Sequence, residues 1–226
     1  MTQHIPRIEH PELFFGFVAP IGTDIDAGLA AFRRSLEDKG YKVVDVKVTT
    51  IFAALEKLIR PISRLVNHPL RRRYESHIAY GNQLRKKFKD NSVLAALAIY
   101  RMMRLRGKSV KRPNAPPFEK IAYIIHQFKR KEEIDLLRSV YGRLFFQISL
   151  YSRRGARAEF LARRFAHSEN SADTNKYKAD AEAIIVKDEN EADQVHGQRV
   201  SKIFHDADLV VNLDIASPSM ESQVDR

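Results

Sequence analysis

The feature that most constrains the fold is residues 13–26, LFFGFVAPIGTDID, where an apolar run changes abruptly into an amphipathic pattern. Leu13 to Val18 is a nearly unbroken apolar run of strand length, and residues 19–22 end it with Pro and Gly. Apolar residues then recur at helical spacing, and Thr23 or Asp24 is a suitable N-cap residue for that helix. The stretch therefore predicts a strand, a tight turn containing glycine, and a helix.

A turn of this kind directs backbone N–H groups and the positive end of a helix at one point, which suits a phosphate. The phosphate-binding P-loop has this geometry, but its signature requires Lys and then Ser or Thr after the last glycine. After Gly22 these positions are Thr23 and Asp24 in one register and Ile25 and Asp26 in another, so both registers lack the Lys. We predict a phosphate-binding loop of Gly22, Thr23 and Asp24, with Asp24 or Asp26 as a Mg²⁺ ligand beside phosphate oxygens. An ordinary strand–helix turn with helix capping is the alternative.

Strand patterns recur along the rest of the chain and alternate with helical ones. Apolar or β-branched runs of strand length occur at residues 41–48, 121–128, 144–150 and 209–213. Because parallel strands need helical crossovers, this order favours a parallel sheet. We predict an α/β fold with a parallel sheet of about five strands, flanked by helices and carrying a basic helical insertion.

The predicted domain covers residues 12–214, after a polar lead-in at residues 1–11 and before a linker or tail at residues 215–226. The helical insertion occupies about residues 50–117. Residues 167–178 are polar, and we expect them to be lid-like or disordered.

The net charge of +11 is concentrated in the middle of the chain. Residues 60–112 carry fifteen basic and two acidic side chains, whereas the charges of the flanking segments nearly cancel. Such a block predicts an anionic partner, which could be a nucleotide, a nucleic acid or an acidic protein face. Solvated helix faces are the alternative. The basic patch predicted in this segment comprises Arg71, Arg72, Arg73, Arg85, Lys86 and Lys87.

Several classes of protein are excluded by what the sequence lacks. It contains no cysteine, which removes disulfides, thiolate catalysis and any Cys-ligated zinc site. The eight histidines show no metal-ligand spacing, so we predict no zinc. No window has the roughly 18 uncharged apolar residues of a membrane span, and the N-terminus has no hydrophobic signal core. We therefore expect a cytoplasmic protein with no membrane contact.

Basic residues follow two of the predicted strands at the edge where an α/β sheet binds its ligands. Lys129 and Arg130 follow the third strand, and Arg153, Arg154 and Arg157 follow the fourth. Arg153 and Arg157 are one helical turn apart, so the two guanidinium groups could share one anion. All five are predicted nucleotide or phosphate contacts.

Four separated stretches resemble, in the same order, the N-terminal P-loop-kinase-like domain of the bacterial anti-phage dCTP/dCMP deaminases. Dephospho-CoA and nucleoside monophosphate kinases share the general pattern, and there the arginines after the fourth strand belong to a lid over the phosphates. The stretches are FFGFVAPIGTDIDA (14–27), YGNQLRKKF (80–88), IAYIIHQFKRKEEIDLLRSVYGRLFFQISLYS (121–152) and GQRVSKIFHDADLVVN (197–212).

The resemblance implies a function and two further site residues. It makes Arg85 a substrate-phosphate contact, with a solvated helix arginine as the alternative, and it places Gln198 in the last family motif. In the family a zinc deaminase domain follows, with His-x-Glu and Pro-Cys-x-x-Cys motifs, and this chain has neither. The implied chain is a regulatory nucleotide-binding domain, cut from such a protein or standing alone. It would act on a deaminase domain in cis or in trans that depletes deoxycytidine nucleotides.

Inhibitory RNA and a second copy of the chain are further partners that we consider. Two alternative functions stay open. An active nucleotide or small-molecule kinase is weakened by the missing Lys, whose charge stabilises the transferring phosphoryl group. An RNA- or DNA-binding module would use the basic segment, although aromatic residues are sparse there.

Overall fold

A computed structural model describes residues 10–109, 120–126, 128–189 and 196–214, and it shows a five-stranded sheet. The strands are β1 Leu13–Val18, β2 Lys42–Lys47, β3 Ile121–His126, β4 Phe145–Tyr151 and β5 Leu209–Asn212. All neighbouring strands pair in parallel, in the order β2-β3-β1-β4-β5. The predicted α/β fold with a parallel sheet of about five strands is confirmed.

Helices connect the strands and flank the sheet. They are α1 Ile25–Asp38, α2 Phe52–Leu55, α3 Leu70–Phe88, α4 Val93–Ser109, α5 Lys131–Tyr141, α6 Arg154–Ser168, α7 Lys178–Glu189 and α8 Val200–Ile203. The predicted turn after β1 and the start of the next helix are present, and Asp24 is the residue that caps α1.

The core lies on both faces of the sheet because side chains alternate along each strand. Phe14 and Val18 of β1 face the side covered by α4, α5 and α8, whereas Phe15 and Phe17 face α1. Phe32 of α1 packs edge-on against both of these rings, with centroids 4.8 and 5.2 Å away. β1 is therefore covered on both faces, as its continuous apolar run predicts.

The insertion between β2 and β3 is less helical than predicted. Residues 56–69 form no helix, because Pro61 and Pro69 each lack the N–H that a helix needs. Instead, this segment lies along α3, where the Gln83 side chain accepts from the Ile62 N–H and the Tyr80 hydroxyl donates to the Ile59 carbonyl.

The expectation that residues 167–178 are disordered is wrong, whereas the lid-like alternative stays a prediction. The helix α6 runs into this segment, and residues 175–177 form a 3₁₀ turn. Tyr177 is only 4% exposed and packs with Phe165 and Ile185 in a third core cluster between α6 and α7. The expectation of disorder failed because one buried aromatic ring is enough to anchor an otherwise polar segment.

The strand order places the loop after β1 at the middle of the carboxyl edge of the sheet. From β1 the chain goes first to β2 and β3 on one side, and then crosses to β4 and β5 on the other. Such a reversal opens a crevice outside the carboxyl ends of the strands, where ligands bind in open α/β sheets.

Candidate functional site

A pocket of about 170 Å³ lies at this carboxyl edge, between the loop after β1, the ends of β2 and β3, and the helices α3 and α6. Five cationic side chains line it, whereas Asp26 is the one carboxylate among the lining residues described. We call it the basic pocket. Its cations are Lys47, Arg73, Arg85, Lys129 and Arg164.

Three of these cations have no ion-pair partner in the part of the chain that the structure describes. Lys47 is the last residue of β2, Arg73 lies in the first turn of α3, and Arg164 lies on α6. Arg164 lies over the Phe160 ring at 5.6 Å, a contact that leaves its charge uncompensated. Three separate elements therefore bring net positive charge to one pocket.

Two histidines in the basic pocket respond to that charge. Burial lowers the pKa of His77, and the neighbouring Arg73 and Lys47 lower it further. Burial and Lys47 likewise lower the pKa of His126 at the end of β3. Both imidazoles are therefore neutral at pH 7, and an anion in the pocket would favour their protonation.

Arg85 forms the rear wall of the basic pocket and is not a solvated helix residue. It is 1% exposed, its Nη2 lies 2.7 Å from Oε1 of Glu133, and its Nη1 donates to Asn82 at 3.1 Å. The other oxygen of Glu133 accepts from the backbone N–H groups of Lys129 and Arg130, at 2.7 and 3.1 Å. Glu133 thus ties the loop after β3 to α3 and neutralises the Arg85 charge.

The loop after β1 is tight. The residues predicted to bind phosphate, Gly22, Thr23 and Asp24, form the turn and cap the helix that follows it. Gly22 has φ +87°, and a Cβ built there would lie 2.6 Å from the Arg157 carbonyl oxygen. The Thr23 N–H donates to the Pro20 carbonyl at 3.2 Å. Asp24 is exposed and accepts from the Ala27 N–H, in the first turn of α1, at 3.4 Å.

An internal carboxylate occupies the position beside this loop. Oδ2 of Asp188, in the last turn of α7, accepts from the Ile21 N–H at 2.7 Å, and the side chain is fully buried. The Lys129 Nζ lies 2.7 Å from Oδ1 of Asp188 and donates to the Ala19 carbonyl at 3.0 Å. A lysine from the end of β3 therefore lies beside the loop that lacks one in its own sequence.

The arginines after β4 contact separate carboxylates. Arg153 pairs with Asp214 at 3.0 Å, beyond the end of β5, and is largely exposed. Arg157 is buried and pairs with Glu189 at 2.6 Å, and Arg154 pairs with the other oxygen of Glu189 at 3.1 Å. The expectation that Arg153 and Arg157 share one anion is wrong, because the two guanidinium groups extend toward different elements.

Two further predicted contacts lie on different sides of the loop after β3. Arg130 donates to the Gly197 carbonyl at 2.7 Å and is absent from the lining of the basic pocket. Gln198 is buried and lines that pocket.

The predicted basic patch on α3 is not one surface. Arg71 pairs with Asp180 at 2.9 Å, Arg73 lines the basic pocket and Arg85 is buried. Of its other members, the exposed Arg72 lies near the start of α3, and Lys86 and Lys87 are exposed roughly 20 Å away at its other end. Helical geometry distributes the six residues around the helix, so proximity in sequence does not bring their charges together.

Some site residues were missed at the sequence level. Lys47 follows the same rule of strand ends that selected Lys129, so it could have been found. Arg164 lies two helical turns after Arg157, and a helical projection would have shown it. The contacts of Glu133 with Arg85 and of Asp188 with Ile21 gave no signal, because these partners lie far apart in the sequence.

Within the described residues, no group of three or more His, Asp or Glu side chains is arranged to hold a metal ion. No helix of the described chain has both the length and the apolar content needed to cross a bilayer.

Comparisons with known proteins are sparse. No protein-family model matches the sequence, and no curated protein matches it. Among solved structures, the chain is similar to a gluconokinase from Sinorhizobium meliloti 1021, with 11% identity and a TM-score of 0.40. The match covers 96% of this chain and 89% of that one. A likeness this weak says nothing about what the present chain binds.

Proposed function

We propose that the chain binds the phosphate of a nucleotide in the basic pocket and does not transfer a phosphoryl group. The observation that carries this proposal is the convergence of Lys47, Arg73 and Arg164 on one pocket without ion-pair partners among the described residues. Like charges held close together repel one another, and a phosphate with two negative charges removes that repulsion.

The size of the basic pocket fits a phosphate better than a whole nucleotide. At about 170 Å³ it is smaller than the roughly 300–1,000 Å³ of sites for drug-sized ligands. An open cleft of about 750 Å³, lined by His68, Arg163 and His167, shares Arg164 with it. A smaller cleft of about 290 Å³, which Thr50 helps to line, shares Lys47, Arg73 and His77 with the basic pocket. The nucleoside would extend into one of these clefts from a phosphate held between them.

The same geometry argues against phosphoryl transfer. Transfer requires positive charge directed at the γ-phosphate, where negative charge develops. The nearest candidate beside the loop is Lys129, and its charge is balanced by Asp188. Asp26 lines the basic pocket and would hold Mg²⁺ together with phosphate oxygens. The residues thus suit binding of a Mg²⁺–nucleotide more than its turnover.

The finer part of the proposal rests on the sequence resemblance. On that basis, the ligand is a dNTP or NTP and the chain is the regulatory domain of an anti-phage deoxycytidylate deaminase. Its zinc deaminase domain would act in cis or in trans to deplete deoxycytidine nucleotides, with inhibitory RNA and self-association as means of control. Incubated alone with dCTP, this chain should yield no dUTP.

Nucleic-acid binding has one observation in its favour. The open cleft between α3 and α6 is lined by Arg163, Arg164, His68 and His167, and no acidic residue is among its described lining. Single-stranded RNA bound there should compete with nucleotides, and its affinity should fall steeply with salt.

Calorimetry with dCMP, dCTP and the other deoxynucleotides, with and without Mg²⁺, tests the proposal. Arg73→Gln and Arg164→Gln should each weaken binding roughly ten- to a hundredfold, because each removes a charge-assisted contact of about 1.5–3 kcal/mol. Arg72→Gln is the matched control: it removes the same charge from an exposed neighbour outside the basic pocket, so binding should not change.

The outcomes separate the competing functions. Binding that is unaffected by Arg73→Gln, or absent in the parent at millimolar nucleotide, would remove the basic pocket as the site. Rapid phosphate release in the same samples would favour the kinase. Equal affinity for all bases would leave phosphate binding intact and show that the site does not distinguish the base.

A further inference from the structure

The loop after β1 already holds an anion that belongs to the chain itself. The Asp188 carboxylate is fully buried and accepts from the Ile21 N–H, while Lys129 balances its charge from the other side. A buried charge with a cation and a backbone donor around it has the environment that a bound phosphate requires. Thr23 in the same loop is buried, and its hydroxyl has no hydrogen-bond partner within the described residues.

We propose that Asp188 is a built-in competitor that closes this loop to phosphate until the last turn of α7 moves away. The inference goes beyond the nucleotide site in the basic pocket, whose lining shares Ile21 and Lys129 with this loop. Its ligand is inorganic phosphate or a phosphomonoester, recognised by the Ile21 N–H, the Lys129 ammonium and the Thr23 hydroxyl.

The position of Asp188 makes such an exchange feasible. It lies one residue before the end of α7, so its release requires one helical turn to unwind and not the whole helix. The next residue, Glu189, pairs with Arg154 and Arg157 of α6, and its backbone carbonyl accepts from the Ser201 hydroxyl at 3.0 Å. A bound phosphate would replace Asp188 as the anionic partner of Lys129 and the Ile21 N–H, so the buried ammonium group would always have an anion beside it.

The exchange has a structural consequence for α7. The carboxylates of Asp188 and Glu189 connect its last turn to three cations on the loop after β3 and on α6. Displacing Asp188 breaks its buried ion pair with Lys129. The more exposed ion pairs of Glu189 with Arg154 and Arg157 remain. Occupation of the loop is thereby coupled to the end of α7, which would become mobile when phosphate is bound.

The test compares phosphate binding by the parent, Asp188→Ala and Asp188→Asn, with chloride at matched ionic strength as the control for screening. Asp188→Ala should gain at least tenfold in affinity for inorganic phosphate, and phosphate should raise its Tm more than that of the parent. Adding Lys129→Met to Asp188→Ala should abolish the gain. Adding Arg73→Gln should leave it intact, which separates this loop from the basic pocket.

The amide resonance of Ile21 provides a readout that does not depend on stability. In Asp188→Asn, which keeps the volume and loses the charge, phosphate should shift this resonance saturably, at concentrations that leave it unmoved in the parent. If neither variant gains phosphate affinity, or if the gain persists without Lys129, Asp188 is a structural ion-pair partner and the proposal is wrong.

Discussion

Replacing Glu133 with Gln should destabilise the protein more than a change to any surface carboxylate. Glu133 is 1% exposed and accepts from the Arg85 side chain and from two backbone N–H groups of the loop after β3. Gln has one oxygen, and its amide group cannot accept from the remaining donors. The Arg85 guanidinium, also 1% exposed, would be left as a buried charge without a counterion.

The expected cost follows from that burial. Removing one partner of a buried ion pair costs about 3–5 kcal/mol. For a chain of this length each kcal/mol lowers Tm by roughly 2–4 °C, so Tm should fall by roughly 6–20 °C. Asp135→Asn is the matched control. That carboxylate lies on the same helix, its side chain is 52% exposed, and its pair with the exposed Lys131 is worth about 1 kcal/mol or less.

Chemical denaturation of the parent, of Glu133→Gln, of Arg85→Met and of the double variant Arg85→Met/Glu133→Gln checks the reasoning. The double variant should be more stable than the sum of the single effects predicts, by about 1–3 kcal/mol, because it removes the orphaned charge. If Glu133→Gln unfolds within about 1 kcal/mol of the parent, the ion pair does not stabilise the rear wall of the basic pocket.

Two further predictions concern the basic pocket and the turn. The pKa values of His77 and His126 are lowered in the folded chain. At pH values below the unfolded histidine pKa of about 6.5, the unfolded chain therefore binds more protons than the folded chain. The free energy of unfolding should therefore fall as the pH drops below about 6.5. Sulfate should oppose this fall and should bind more tightly at the lower pH, as calorimetry and histidine NMR titration would show. Gly22→Ala should cost at least about 2 kcal/mol in denaturant, because φ is +87° and the Cβ meets the Arg157 backbone. Gly40→Ala, at φ +79° where the Cβ would make only an ordinary contact with the Lys120 Nζ at 3.7 Å, should cost only the backbone strain, and equal costs would refute the clash.

The sheet could be predicted from the sequence because its signals are local. In β1 the last five of six consecutive residues are buried, and Asp24, directly before the next helix, caps it by accepting from the Ala27 N–H. Lys129 was found because strand ends at the carboxyl edge of a parallel sheet meet in space. The topology of a parallel sheet thus predicts the position of Lys129, which composition alone does not.

The interactions that decide the chemistry of the loop could not be predicted. Asp188 reaches Ile21 across 167 residues, and Glu133 reaches Arg85 across 48. No periodicity records which carboxylate will neutralise which cation. The charge count of the middle segment predicts an anionic partner, but it could not show that Arg71 pairs with Asp180 whereas Arg73 has no ion-pair partner among the described residues.

Lys129 connects the two anion positions and makes their occupation interdependent. It lines the basic pocket, and its ammonium group balances Asp188 beside the loop. A phosphate in the basic pocket would attract the same ammonium and weaken its hold on Asp188, whereas a phosphate in the loop would take the place of Asp188 beside that ammonium. Two anions sharing one cation repel each other, so binding at both positions should be anticooperative unless Mg²⁺ at Asp26 compensates the charge. The Mg²⁺ dependence of nucleotide binding in Asp188→Ala would therefore exceed that in the parent, and equal dependence would show that the two positions do not communicate through Lys129.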